Sequence, residues 1–107
     1  MNNYISYIIF VGAAILEISG DAIIRKGLRT SGFVLVVLGF VILGCYGIVV
    51  NSVKWDFSKL IGVYVGIFAT VSIIVGRFFF KENIPASTWI GLIVIIIGGI
   101  IIQFGPK

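Results

Sequence analysis

The sequence predicts an all-α integral membrane protein with four transmembrane helices, and three observations carry that reading. Of its 107 residues, 60% are hydrophobic and only 11% are charged, whereas a soluble domain typically carries about 25% charged residues. Mean hydropathy is +1.22. The apolar residues are gathered into four runs separated by short polar segments, each run close to the roughly 20 residues needed to cross a hydrocarbon core about 30 Å thick. Ile and Val favour strands in water, but an isolated strand cannot satisfy its backbone in lipid and a helix can. The expected spans are 4–24, 33–53, 60–80 and 87–104, within a single domain covering 1–107. The runs fill nearly the whole chain, which leaves no room for a further domain, and no repeat of the solenoid or propeller kind is present.

Run one, Tyr4 to Ile24, follows Met1-Asn2-Asn3 without a basic segment or a small-residue cleavage site, so it reads as a retained helix and not as a signal peptide. It is expected to stop at the basic, glycine-containing turn Arg25-Lys26-Gly27-Leu28-Arg29-Thr30-Ser31-Gly32. Run two, Phe33 to Val53, is uncharged and ends at Lys54-Trp55-Asp56-Phe57-Ser58-Lys59, which places an indole at interfacial height. Run three, Leu60 to Phe80, carries Arg77 near its end and gives way to Lys81-Glu82-Asn83-Ile84-Pro85. Run four, from about Ser87 to Phe104, is nearly pure Ile, Val and Gly, with Trp89 near its start and Gly105-Pro106-Lys107 after it.

The basic residues fall at the ends of these runs. Arg25, Lys26, Arg29, Arg77 and Lys81 lie on the side of loops one and three, against Lys54, Lys59 and Lys107 on the other. Under the positive-inside rule this is a small imbalance, leaning towards cytoplasmic loops one and three and compatible with insertion in both directions. The expected location is the cell's inner (plasma) membrane, as a multi-pass protein. The net charge of +4 is accounted for by headgroup contact and orientation, so nucleic acid is not an expected partner. Cys45 is the only cysteine and there is no His; no metal-ligand set is expected. No cofactor motif is present, and no nucleophile and base pair or oxyanion site accompanies the carboxylates, so no enzyme activity is expected.

The informative residues are the carboxylates of run one. An acidic side chain at mid-membrane costs roughly 2.5 to 3.5 kcal/mol on insertion scales, so such groups usually line an aqueous cavity or bind a ligand. Glu17 lies on a stripe with Ala13, Gly20, Asp21 and Ile24, since residues three and four apart share a helix face. Small neighbours leave space for a second helix or a ligand. A carboxyl able to be neutral or charged at this depth can take a proton and a cation in turn, which couples the two fluxes if only occupied states reorient. The bland alternative is a static hydrogen bond within an assembly. Asp21 is either a second ligand or one half of an interfacial ion pair with Arg25.

Run three contributes Gly62-Val63-Tyr64-Val65-Gly66, followed by Phe68, Thr70 and Ser72. Its glycines read as helix packing or as a hinge. Tyr64 reads as an aromatic neighbour that orients a carboxylate and faces a cation, or as a core aromatic. Arg77 is expected to snorkel to the interface, with a counter-ion role as the alternative. On run four, Gly91 and Gly98 lie two turns apart on one face of an aliphatic helix with no chemistry of its own; this is an assembly face or bilayer-facing filler. Four helices of this length enclose little space. A second copy would bring two Glu17 residues to one cavity, and opposed insertion would supply the inverted symmetry used in alternating access.

Three features resemble the small multidrug resistance family of the drug/metabolite transporter superfamily. They are Glu17-x-x-Gly20 followed by Arg25 and Lys26, Phe79-Phe80 with Gly91 following at the family's spacing, and Gly91-Leu92-x-Val94-Ile95-x-x-Gly98. The resemblance covers the full chain. It implies an antiparallel homodimer of eight helices, often of dual topology, that exchanges protons for cationic substrates at paired glutamates. In that family an aromatic pair on helix three lines the site; here Tyr64 stands where Trp is usual and Ile61 where Tyr is usual, while Gly66 matches. Asp21 replaces a small or hydroxylic residue, and helix two lacks the polar residue of guanidinium-exporting members. The ending Ile101-Ile102-Gln103-Phe104-Gly105-Pro106 resembles the YnfA-like small membrane proteins.

The function expected is proton-coupled export of small organic or hydrophobic cations. Glu17, Tyr64 and Asp21 would form the proton and substrate site, Gly20, Gly62 and Gly66 the packing or hinge positions, and Gly91 with Gly98 the dimer contact. The alternatives are a non-transporting accessory subunit of a larger membrane assembly, a paralogous four-helix partner in place of a second copy, and movement of a cationic lipid-like substrate.

Overall fold

The computed structural model describes residues 3–105; Lys107, which enters the charge balance, and Pro106 of the terminal motif lie outside the described residues. Four helices follow one another: α1 (Asn3–Arg29), α2 (Phe33–Asn51), α3 (Phe57–Phe78) and α4 (Ala86–Phe104). Each is long and apolar enough to cross a membrane. At 1.5 Å per residue, α2 and α4 measure about 28 Å and match the hydrocarbon core, whereas α1 reaches about 40 Å and must tilt within it or overhang it. Large apolar side chains such as Ile8, Phe33, Phe40, Phe57, Ile93 and Ile101 are exposed. That distribution would precipitate a soluble protein and suits one whose solvent is lipid. The protein is a multi-pass membrane protein.

The chain divides into two compact units, Met1–Lys54 and Trp55–Lys107, each a helical hairpin. In the first, α1 does not stop at Ile24 as expected but continues through the basic segment to Arg29. Lys and Arg are good helix formers and their charge is favourable beside the carbonyl end of the helix, so a basic stretch is no stop signal in itself. The stop is made by the backbone. Gly32 N donates to Gly27 O at 2.8 Å and Thr30 N to Lys26 O at 3.0 Å, and Ser31 takes the left-handed conformation with φ 57°, a Schellman-type ending in which glycine is the usual residue. Thr30 Oγ1 also donates to Lys26 O at 2.8 Å. Helix α2 ends at Asn51, two residues before the expected Val53, where Asn51 Nδ2 donates to Gly47 O and Ser52 Oγ to Val49 O.

Glycines set the closeness of α1 and α2. A Cβ placed on Gly39 would lie 2.8 Å from Gly20 O and would overlap the side chain of Ile24; one placed on Gly20 would lie 2.9 Å from the Leu43 side chain and 3.1 Å from Gly39 O. Backbone therefore meets backbone at this crossing, the arrangement that small residues permit where lipid offers no hydrophobic driving force between helices.

In the second hairpin, α3 begins at Phe57, three residues earlier than expected, with Leu60 N donating to Asp56 O at 2.9 Å. The Lys59 ammonium sits 4.8 Å from the centre of the Trp55 ring, a cation–π contact that fixes the interfacial indole at the helix entrance. The helix ends at Phe78, where Phe79 N and Phe80 N both donate to Val75 O and Glu82 N donates to Gly76 O. Lys81 is left-handed there, with φ 54°. Pro85 precedes α4, and its carbonyl accepts from Thr88 N and Trp89 N. Helix α3 faces α4 through Gly62 and Gly66: Ile102 packs over Gly62, and Ile95 O lies 3.9 Å from where a Gly66 Cβ would stand.

Candidate functional site

The first hairpin carries both intramembrane carboxylates. Ser6, Phe10, Ala13, Ala14, Gly20 and Gly27 are buried on α1, and their spacing of three, four and seven residues makes them one stripe. Glu17 lies on that stripe, half-buried, close to the midpoint of α1 and flanked by Ala13, Ala14 and Gly20. The small neighbours come from the sequence pattern; what fixes the rotation of the stripe is the approach of Gly20 to Gly39 and Leu43. The carboxylate is therefore carried one turn before the close approach of α1 to α2 at Gly20.

Asp21, one turn on, is exposed, and among the described residues no ion pair ties it to Arg25. Of the two alternatives for Asp21, the ion pair at the helix end is not formed among the described residues. Both side chains stand on α1, but Asp21 sits at the margin of the stripe and Glu17 within it.

The second hairpin carries the remaining residues predicted for the site. Tyr64 is buried, at 3% exposure, and its ring centre is 6.1 Å from that of Phe68 with the planes tilted by 33°, within the range of an attractive aromatic pair. Tyr64 is two residues from both Gly62 and Gly66, so it projects from the side of α3 opposite the glycines that meet α4. Thr70 Oγ1 donates to Gly66 O at 2.9 Å, a bond within the helix that occupies the hydroxyl hydrogen. Arg77 is exposed with its guanidinium 5.9 Å from the Phe78 ring. On α4, a Cβ at Gly91 or Gly98 would meet nothing within 4 Å, whereas Ile95, Gly99 and Ile102 approach the glycines of α3. Gly91 and Gly98 therefore lie off the hairpin contact.

Sequence reasoning missed Gly39 as the partner of Gly20. Helix α2 offers Gly39, Gly44 and Gly47, and only the rotation of the helix tells them apart: a Cβ at Gly44 or Gly47 would meet nothing within 4 Å. Among the described residues no group of His, Cys, Asp and Glu could hold a metal ion.

The profile of the family described as "Uncharacterised BCR, YnfA/UPF0060 family" matches residues 4–107. A "UPF0060 membrane protein" of Staphylococcus carnosus is 38% identical over 96 residues, covering 88% of this chain and 89% of its own length. One of Mycolicibacterium gilvum is 30% identical over 106 residues, covering 95% and 96% respectively. Another of Rhodococcus erythropolis is 37% identical over 71 residues, covering 64% of this chain and 66% of its own. No solved structure matches the chain. With four membrane-length helices, a profile match that runs through all of them and relatives alike over nearly their whole length, this chain belongs to the YnfA/UPF0060 family of membrane proteins.

Proposed function

We propose that this protein is a proton-coupled exporter of small organic cations that works by alternating access, as a dimer of two copies inserted in opposite directions. The observation that carries the reading is Glu17, a carboxylate near the middle of a membrane-length helix, on its buried stripe and among alanine and glycine neighbours. Such a group is expensive to place there unless its charge is used. The Glu17-x-x-Gly20 pattern, shared with the small multidrug resistance family, supports the same assignment.

In this mechanism Glu17 holds either a proton or the cation, never both. Occupation by one expels the other, and an empty, charged site resists reorientation because moving a carboxylate through lipid is costly. Tyr64 takes the aromatic role, offering a ring face to the cation. Asp21, exposed on α1, attracts cations towards the site. Gly91 and Gly98 form the contact between copies.

Reconstitution in vesicles with an imposed pH gradient tests the reading. Quaternary ammonium and other lipophilic cations should be driven against the proton gradient by the parent protein. Glu17→Gln should abolish driven uptake, and Glu17→Asp should retain it with an altered pH profile. Equal movement of the cations with Gln at position 17 would remove the coupling role.

A further inference from the structure

The extension of α1 past its apolar run creates a feature that the transport reading does not use. Ile8, Val11 and Ile15 are exposed along one face of α1, and Arg25, Lys26 and Arg29, all exposed, continue that face at the helix end. The alignment follows from spacing: Lys26 and Arg29 stand about five full turns beyond Ile8 and Val11, and Arg25, one turn before Arg29, lies at the edge of that face. Had the chain left the helix at Ile24, the three cations would have pointed where a loop sent them. Because the helix runs on to Arg29, the last five residues stand about 7.5 Å beyond the apolar run, at headgroup depth. Among the described residues none of the three is held in an ion pair, and the nearest carboxylate on the helix, Asp21, lies at the margin of this face and is not bonded to Arg25.

We propose that this face of α1 is a binding site for one anionic glycerophospholipid, its phosphate held by Arg25, Lys26 and Arg29 and an acyl chain lying along Ile8, Val11 and Ile15. The occupant follows from charge and shape together. Three clustered cations call for an anion, and an apolar strip continuous with them calls for one that carries a long hydrocarbon chain. A free phosphate or phosphorylated metabolite satisfies only the first requirement. A second protein helix would have to bring its own acidic residues to the same depth.

The experiment uses the full chain with Trp55→Phe and Trp89→Phe, so that a tryptophan at Ile15→Trp is the single reporter, in vesicles mixing phosphatidylcholine with phosphatidylglycerol, one or the other brominated on its acyl chains. Quenching should show a preference for phosphatidylglycerol of about fivefold or more, the equivalent of one basic contact with an anionic surface at ~1 kcal/mol. The preference should shrink at high salt and fall towards one in the Arg25→Gln, Lys26→Gln, Arg29→Gln triple variant. A reporter at Phe40→Trp, exposed on α2, should show no such preference. If the triple variant does not insert, Arg25→Gln and Arg29→Gln singly, with the salt titration of the parent, decide the matter. Equal quenching by the two lipids at position 15, an unchanged preference in the variants, or removal of the preference by soluble glycerol phosphate would each overturn the proposal. None of these readouts involves Glu17 or transport, so the lipid site and the exporter reading fail separately.

Discussion

At the scale of single residues, glycines that look alike in the sequence carry different loads. A methyl group at Gly39 has nowhere to go, because Gly20 O would stand 2.8 Å from it and the Ile24 side chain lies in its path. One at Gly66 would rest 3.9 Å from Ile95 O, ordinary van der Waals contact. Gly39→Ala should therefore destabilise the protein by about 1 to 3 kcal/mol, the usual cost of overpacking. Gly66→Ala should be neutral or stabilising by up to about 1 kcal/mol, since alanine loses less backbone freedom in a helix. Thermal unfolding of the two variants in detergent, followed by circular dichroism, checks the order, and a Gly39→Ala protein as stable as the parent would show that the first hairpin has slack the close approach does not suggest. Gly20 was readable in the sequence as a small residue beside Glu17 on a stripe. Its partner was not, because the rotation of α2 about its own axis is settled by packing and leaves no trace in a helix that is apolar on every side.

At the scale of elements, the four helices were legible because length and apolarity alone decide whether a segment can span lipid. Their ends were less so. Polarity marks where the chain leaves the hydrocarbon, and hydrogen bonding marks where the helix stops, and in α1 these are five residues apart. What ends α1 is the left-handed Ser31, φ 57°, with Gly32 N bonded to Gly27 O. A left-handed conformation costs a residue with a Cβ roughly 1 to 2 kcal/mol relative to glycine, part of which the greater freedom of glycine in the unfolded chain returns. Ser31→Gly should therefore stabilise the first hairpin by about 0.5 to 1 kcal/mol, and Ser31→Val should destabilise it by more, since a β-branched side chain tolerates this conformation least. Both shifts are measurable in the midpoint of unfolding. The same reasoning applied to Lys81, φ 54°, gives Lys81→Gly as an independent second case in the other hairpin. If neither glycine variant raises the midpoint, these turns do not limit stability.

At the scale of the whole molecule, the unsettled surface is α4. A helix of Ile, Val and Gly can be assembly face or lipid-facing filler, and composition does not separate the two, because lipid tails and aliphatic side chains are equally apolar. The hairpin contact narrows the choice: Ile95, Gly99 and Ile102 meet α3, while Gly91 and Gly98 have open space beyond them. A Cβ at Gly98 thus meets nothing within 4 Å inside its own hairpin. Gly98→Leu should accordingly leave helix content and thermal unfolding within about 0.5 kcal/mol of the parent, as for a substitution away from packed contacts. Self-association should weaken by tenfold or more, because a groove that admits a neighbouring backbone is filled. Energy transfer between donor- and acceptor-labelled copies, diluted in vesicles of fixed lipid content, reads the association directly, with labels placed on Cys45, which is exposed on α2. The loss of association must bring loss of driven cation uptake if two Glu17 residues from two copies make one site. Should Gly98→Leu associate as the parent does, the open face of α4 is turned to lipid and the dimer contact lies elsewhere. Should association fail while uptake persists, a single copy suffices and the paired-glutamate mechanism is wrong.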